Sequence, residues 1–276
     1  MVALTELPSA TEALKHTQNN RIDIIIPSLN NLDQLYVVFT QLAHQLKKPL
    51  MDINLILSSS QVYAHPIYTE YYGPSSDKEK IDVINRGRSL PLHFYSVACL
   101  QQPLHSISSL NFPQNIYHHV CVGGTFDHLH AGHKILLTRA AWMTQTRLLC
   151  GVLDAPKERL QKKKYYEWMQ PISERIHAVH YFLKLIRPEI QIDVVAIQDD
   201  YGPSRTDSDL EAIVGTTETQ MGCESVNIER EKVGLKPLHI HIIDVISSSA
   251  VLAKEDMNTK LSSSWIREWI SKNDSK

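Results

Sequence analysis

The sequence has no surplus of charge, no closely paired cysteines and no long apolar run, and each absence removes a class of function. Its 276 residues carry 28 lysines and arginines against 30 aspartates and glutamates, a formal charge of -2. A chain so balanced has no bulk attraction for nucleic acid or for an anionic membrane surface, so neither is an expected partner, and affinity for phosphate must come from a local site. The four cysteines, Cys99, Cys121, Cys150 and Cys223, show no C-x-x-C spacing, and two of them fall inside apolar runs that read as strands. Buried, reduced thiols fit that pattern best. No apolar run approaches the roughly 20 residues needed to cross a bilayer. The opening Met1-Val2-Ala3-Leu4-Thr5-Glu6-Leu7-Pro8 lacks a basic region followed by an apolar core. The chain reads as cytoplasmic, with a nuclear fraction left open.

What is present is a soluble globular composition, 43% hydrophobic and 21% charged, at a length that suits two domains. Residues 1–18 read as a polar tail. Ile22-Asp23-Ile24-Ile25-Ile26 reads as a strand closed by Pro27, and Leu35, Val38, Phe39, Leu42 and Leu46 follow with helical spacing before a second strand over 53–57. This order predicts a small α/β domain over 19–110. Residues 73–80, Gly-Pro-Ser-Ser-Asp-Lys-Glu-Lys, read as a solvated loop, and 104–114 as a linker. From residue 111 onward strands and helices alternate, with strands expected over 117–122, 148–153, 192–197, 211–215 and 239–246. Five such strands imply a Rossmann-like parallel sheet, preceded by the smaller α/β domain. Ile172, Ile176, Val179, Leu183 and Ile186 define one intervening helix, with Pro171 in its first turn and Pro188 beyond its end.

Chemistry concentrates in Val120-Cys121-Val122-Gly123-Gly124-Thr125-Phe126-Asp127-His128-Leu129-His130-Ala131-Gly132-His133. The glycines admit a ligand close to the backbone, and the amides opening the next helix point donors at an anion. His130 and His133 are three apart and share a helix face. An H-x-x-H pair alone is satisfied by two core histidines in a strand-to-helix turn; the flanking Gly-Gly-Thr-Phe-Asp turns the reading toward phosphate. Such ligands sit outside the carboxyl ends of strands where the strand order reverses, which is where this bend is expected. Far along the chain, Lys260-Leu261-Ser262-Ser263-Ser264-Trp265-Ile266-Arg267 opens a last helix with three hydroxyls and an arginine one turn in. Read alone, this is equally well ordinary serine capping. Asp127 reads as a helix cap somewhat better than as a partner of a metal-bound triphosphate. Asp199 and Asp200 read as turn formers.

Together these two strings resemble the nucleotidyltransferase superfamily with an H-x-G-H motif and an I-S-S-T-x-I-R-like motif. The intervening chain resembles the eukaryotic and archaeal phosphopantetheine adenylyltransferases over about residues 116–272. It contributes Lys162-Lys163-Lys164, Gln170-Pro171-Ile172-Ser173-Glu174-Arg175, Asp200-Tyr201-Gly202-Pro203, Asp207, Leu210-Glu211, Thr217-Glu218-Thr219 and Asn227. Two departures are visible: Ile213-Val214-Gly215-Thr216-Thr217 stands where bacterial enzymes of this activity carry an arginine pair, and Ser264 replaces the usual threonine. The order of regions also resembles coenzyme A synthase, whose kinase half would need a G-x-x-x-x-G-K-S/T loop. The sequence has none, so that second activity is not expected.

The resemblance implies transfer of the adenylyl group of ATP to 4'-phosphopantetheine, giving dephospho-CoA and pyrophosphate in coenzyme A biosynthesis, with Mg2+ accompanying ATP and no side chain assigned to a metal. It implies catalytic roles for His130, His133, Thr125, Lys164 and Arg267, with Lys162 the rival to Lys164. It implies nucleotide binding by Gly123, Gly124, Thr125, Phe126, Asp127, His133, Thr217, Ser262, Ser263 and Ser264. Residues 1–110 carry no chemical motif: interaction with protein partners in coenzyme A synthesis, regulation and simple stabilisation are all open. Two other readings stand beside this one: a nucleotidyltransferase for another phosphorylated acceptor, and a non-catalytic ATP-binding scaffold.

Overall fold

The computed structural model describes residues 2–3, 14, 21–26, 32–48, 50–57, 70–73, 78–86, 93–96, 114–243 and 262–273. The chain divides into two compact units, Met1–Phe112 and Pro113–Lys276. The expected linker over 104–114 lies outside the described residues except for Gln114, and the expected strand over 239–246 is described only to Ile243.

The first unit is a parallel sheet of β1 (Val2–Ala3), β2 (Arg21–Ile26), β3 (Asp52–Leu57), β4 (Glu70–Gly73) and β5 (His93–Ser96), in the order β3-β2-β1-β4-β5. Helix α1 (Leu32–Gln45) follows β2, and α2 (Lys78–Asn85) follows β4. Residues 1–18 are therefore not wholly a tail: Val2 pairs with Ile24 on one side and with Tyr72 on the other, at the centre of the sheet. Two residues are too short for a periodicity to register. The loop expected over 73–80 is also corrected at both ends, since Gly73 closes β4 and Lys78 opens α2. Ile22, Ile24 and Ile26 of β2 are buried with Leu32, Tyr36 and Phe39 of α1, the two-residue and three-to-four-residue periods of one core. The buried Tyr36 hydroxyl accepts the Leu55 N–H at 3.1 Å.

The second unit holds β6 (Tyr117–Gly124), β7 (Thr144–Leu153), β8 (Gln191–Ile197), β9 (Ala212–Thr216) and β10 (His239–Ile243), ordered β10-β9-β6-β7-β8 with every pair parallel. The crossovers carry α3 (Ala131–Met143), the one-turn α4 (Lys157–Leu160), α5 (Ile172–Ile186) and α6 (Gln220–Lys232), and α7 (Ser263–Asn273) closes the described chain. The all-parallel sheet follows from the strand–helix alternation, because a parallel neighbour needs a long crossover. Helix α5 spans the residues that the spacing of its isoleucines predicts. Its buried stripe is Arg175, Val179, Phe182, Leu183 and Ile186, an arginine among four apolar side chains. The chain runs from β6 outward through β7 and β8, then returns to β9 on the other side of β6. The order therefore reverses between β6 and β9.

Candidate functional site

Gly123 and Gly124 end β6 beside the carboxyl end of β9, at the crevice where open parallel sheets bind ligands. A Cβ on Gly124 would lie 3.1 Å from the Phe126 ring, so the glycine lets the bend fold back on its own strand. Phe126 (φ 49) and His128 (φ 45) both adopt the left-handed conformation, which non-glycine residues avoid unless the surroundings hold them there. Between them lies Asp127, fully buried.

His130 is the N-cap residue of α3 and His133 sits in its first turn. Their rings stack at 3.8 Å, and the His133 ring meets Phe126 edge-on at 5.3 Å. Both Nδ1 atoms are buried without a hydrogen-bond partner among the described residues. Burial, then the charges of Lys134 and His128, push the His130 pKa down to about 3. Burial, then His130, Lys163 and Lys134, hold His133 well below its usual value. Both imidazoles are thus neutral near pH 7, each with one N–H to donate and one nitrogen to accept. The buried Lys134 ammonium lies 5.8 Å over the Phe182 ring, on the core side of the same helix.

Asp127 does not cap α3, whose N-cap His130 has no side-chain cap bond. Its carboxylate instead pairs with the Arg267 guanidinium through Oδ2 and accepts the Gln170 N–H at 2.9 Å through Oδ1. The pair is sealed, at 2% exposure for Arg267 and 0% for Asp127. Arg267 also donates through Nε to the Lys164 carbonyl at 3.0 Å and through Nη2 to the Ser264 hydroxyl at 3.3 Å. Arg267, expected to meet phosphate, has its guanidinium engaged by protein acceptors at Nε, Nη1 and Nη2. The three serines divide in the same way. Ser262 accepts the Trp265 N–H at 3.2 Å as a cap, Ser263 gives its proton to the Asp127 carbonyl at 2.8 Å, and Ser264 is exposed. Ser262 and Ser264 retain their hydroxyl protons for a ligand, and Ser263 does not.

Lys164 is used through its backbone carbonyl, while the Lys163 pKa is lowered by desolvation and then by Arg267, with Arg159 and Arg175 adding to it. Thr217 is exposed in a short 3-10 turn directly after β9, where Thr216 and Thr219 form a capping box. Asp199 forms the turn its position suggested, accepting the N–H groups of Tyr201 at 3.0 Å and Gly202 at 2.6 Å, and Asp200 pairs with Arg159 at 2.6 Å. Asn227 bridges both backbone groups of Leu238 and is structural.

Sequence reasoning assigned no role to Arg175 or Gln170. The buried Arg175 donates to the carbonyls of Thr125 at 2.8 Å, Leu153 at 2.8 Å and Gln170 at 3.0 Å, tying the ends of β6 and β7 to the segment before α5. Gln170 Oε1 accepts the His128 N–H at 2.7 Å, and the His128 ring bonds the Trp168 carbonyl at 2.8 Å. The available signal was an arginine on the apolar stripe of α5, three residues after Ile172 and four before Val179.

The cytidylyltransferase-like family matches residues 121–269, which contain the whole arrangement. A phosphopantetheine adenylyltransferase of Saccharomyces cerevisiae is 38% identical over 156 residues, covering 56% of this chain and 50% of its own length. An uncharacterised protein of Schizosaccharomyces pombe is 41% identical over 152 residues, covering 55% of this chain and 48% of its own. A phosphopantetheine adenylyltransferase of Pyrobaculum aerophilum is 35% identical over 160 residues, covering 58% of this chain and 96% of its own. The chain spans about half the length of the two yeast relatives and nearly all of the archaeal one.

Proposed function

Since the chain belongs to the cytidylyltransferase-like family, we propose that its second unit transfers the adenylyl group of ATP to 4'-phosphopantetheine, releasing pyrophosphate and forming dephospho-CoA. The observation that carries this reading is the stacked pair His130 and His133, neutral and with Nδ1 atoms unpartnered among the described residues, at the strand-order reversal of a parallel sheet. The extent to which the archaeal adenylyltransferase is covered supports this choice of acceptor.

The acceptor brings its own nucleophile. A phosphate monoester has a second pKa near about 6, so its oxygen is largely ionised at neutral pH and no enzymic base is required. Catalysis is then positioning and charge stabilisation. One acceptor oxygen attacks the α-phosphorus of ATP, and the bond from that phosphorus to the bridging oxygen of pyrophosphate breaks. His130 and His133 donate N–H groups to the phosphate oxygens as charge moves onto the leaving group. The run Lys162, Lys163 and Lys164, on the segment after β7, supplies positive charge. The hydroxyls of Ser262 and Ser264 and the first amides of α7 receive the terminal phosphates. Thr125 orients the attacking phosphate, and Thr217 faces the nucleotide from the end of β9.

Among the described residues no cluster of three or more histidine, cysteine, aspartate or glutamate side chains could hold a metal ion, and the Asp127 carboxylate is already paired. Mg2+ enters with ATP, as part of the substrate. Cys121, Cys150 and Cys223 are free and buried, in keeping with a cytoplasmic setting for the reaction. No helix among the described residues is long and apolar enough to cross a membrane.

The test is a parallel assay of pyrophosphate release from ATP and from CTP with 4'-phosphopantetheine, glycerol 3-phosphate, nicotinamide mononucleotide and flavin mononucleotide, with products identified by mass. Release confined to ATP with 4'-phosphopantetheine is expected. Release with a different acceptor overturns the substrate, and silence with every pair overturns the enzymatic reading in favour of a nucleotide-binding scaffold.

A further inference from the structure

We infer that Asp127 and Arg267 form a positioning pair, through which the last helix holds residues 125–128 in the shape that presents His130 and His133. Arg267 then serves the reaction through Asp127 and never touches phosphate. The kinetic part of this inference rests on the reaction proposed above; the structural part does not.

Three observations carry it. The first is strain. Phe126 and His128 both sit in the left-handed region on either side of Asp127, a conformation that persists only where neighbours over-determine it. The second is the set of bonds that do so. The Thr125 carbonyl is held by Arg175, the Asp127 carbonyl by Ser263, the His128 N–H by Gln170 and the His128 ring by the Trp168 carbonyl. Two of these elements, the segment before α5 and the start of α7, converge on the Asp127 side chain: Gln170 through its N–H, and Arg267 through its guanidinium. The third is burial. With both partners sealed from solvent, losing one leaves the other as an uncompensated charge in the interior, and the bend loses its anchor.

The bend reaches the histidines through short, rigid links. Phe126 supports the His133 ring edge-on, and His130, which stacks on His133, lies three residues beyond Asp127. A guanidinium engaged at Nε, Nη1 and Nη2 by the Lys164 carbonyl, Asp127 and Ser264 is a fork matched to a buried frame.

The test compares Asp127→Asn, Arg267→Met, the double variant and Arg267→Lys in the full chain, by steady-state kinetics and by hydrogen exchange of the free protein. Each single variant is expected to lower kcat at least tenfold while the KM for ATP stays within threefold. The double variant should be no worse than the poorer single one, within twofold. In the free protein, amides of 124–128 and of 263–273 should lose protection together in each single variant. If Asp127→Asn or Arg267→Met does not fold, Arg267→Lys retains the charge without the fork and should show the same fall in kcat at unchanged KM. A tenfold rise in KM for ATP at unchanged kcat, a double variant showing the product of the two single losses, or unchanged exchange in the free protein would each overturn the pair. The exchange arm needs no substrate. Silence of the wild type with every acceptor would therefore sink the proposed reaction and leave the pair to be decided by exchange.

Discussion

His130 and His133 depend on neutrality for their part in the site. A depressed histidine pKa makes folding pH-dependent in a definite sense. Below about pH 6.5 the unfolded chain takes up protons on these imidazoles that the folded chain refuses. Stability is therefore fully present above that pH and falls as the pH drops, for His130 down to its folded value of about 3. His130→Gln removes one such group. Denaturant unfolding between about pH 5 and about pH 7 should show a shallower pH dependence in the variant, by up to about 1.4 kcal/mol per pH unit for the lost proton. An identical slope in both proteins would contradict the burial argument. His133→Ala should lower turnover at least about a hundredfold, the usual cost of one donor aimed at transition-state charge, while the protein stays folded. Near-normal turnover would remove His133 from the mechanism. The pairing of the two histidine rings was legible in the sequence because a spacing of three puts them on one side of a helix start. The fates of Asp127 and Arg267 were not, because each depends on contacts between segments up to 140 residues apart in the chain.

Helices and strands set how close the chain can come to itself. Helix α6 packs against β9 at Gly215, where a Cβ would lie 2.6 Å from Cys223 Sγ and 3.0 Å from Thr219 Oγ1. Gly215→Ala is expected to destabilise the protein by about 1–3 kcal/mol, the cost of overpacking a close contact. Gly215→Ala with Cys223→Ala should recover a large part of that loss in thermal unfolding, whereas additivity of the two losses would show that the strain lies elsewhere. The strands of the second unit were legible because strand-like runs recur regularly through it, whereas α4 and α6 were not placed. Helix α5 announced itself by its isoleucines and prolines. The role of Arg175 did not show, because a charged residue on an apolar stripe says that it is buried but not which carbonyls it meets. In the first unit β1, β4, α2 and β5 were missed. They are two, four, eight and four residues long, and two or four residues carry too little pattern to separate from a loop.

At the scale of the molecule, two five-stranded parallel sheets with the same style of strand order follow one another in a single chain. The recognisable chemistry lies in the second, which holds all of the matched family region. The archaeal relative is covered over 96% of its length by a 160-residue match. Residues 113–276 expressed alone should therefore fold and release pyrophosphate at a rate within severalfold of the full chain. Loss of activity in a folded fragment would assign the first unit a part in the reaction. The most direct measurement of the central claim follows the α-phosphorus of labelled ATP in the presence of 4'-phosphopantetheine, with the wild type and His133→Ala side by side. Label should appear in dephospho-CoA with the wild type and at least about a hundredfold more slowly with the variant. Label that stays in ATP, or that appears as free AMP with no labelled dephospho-CoA, would contradict it.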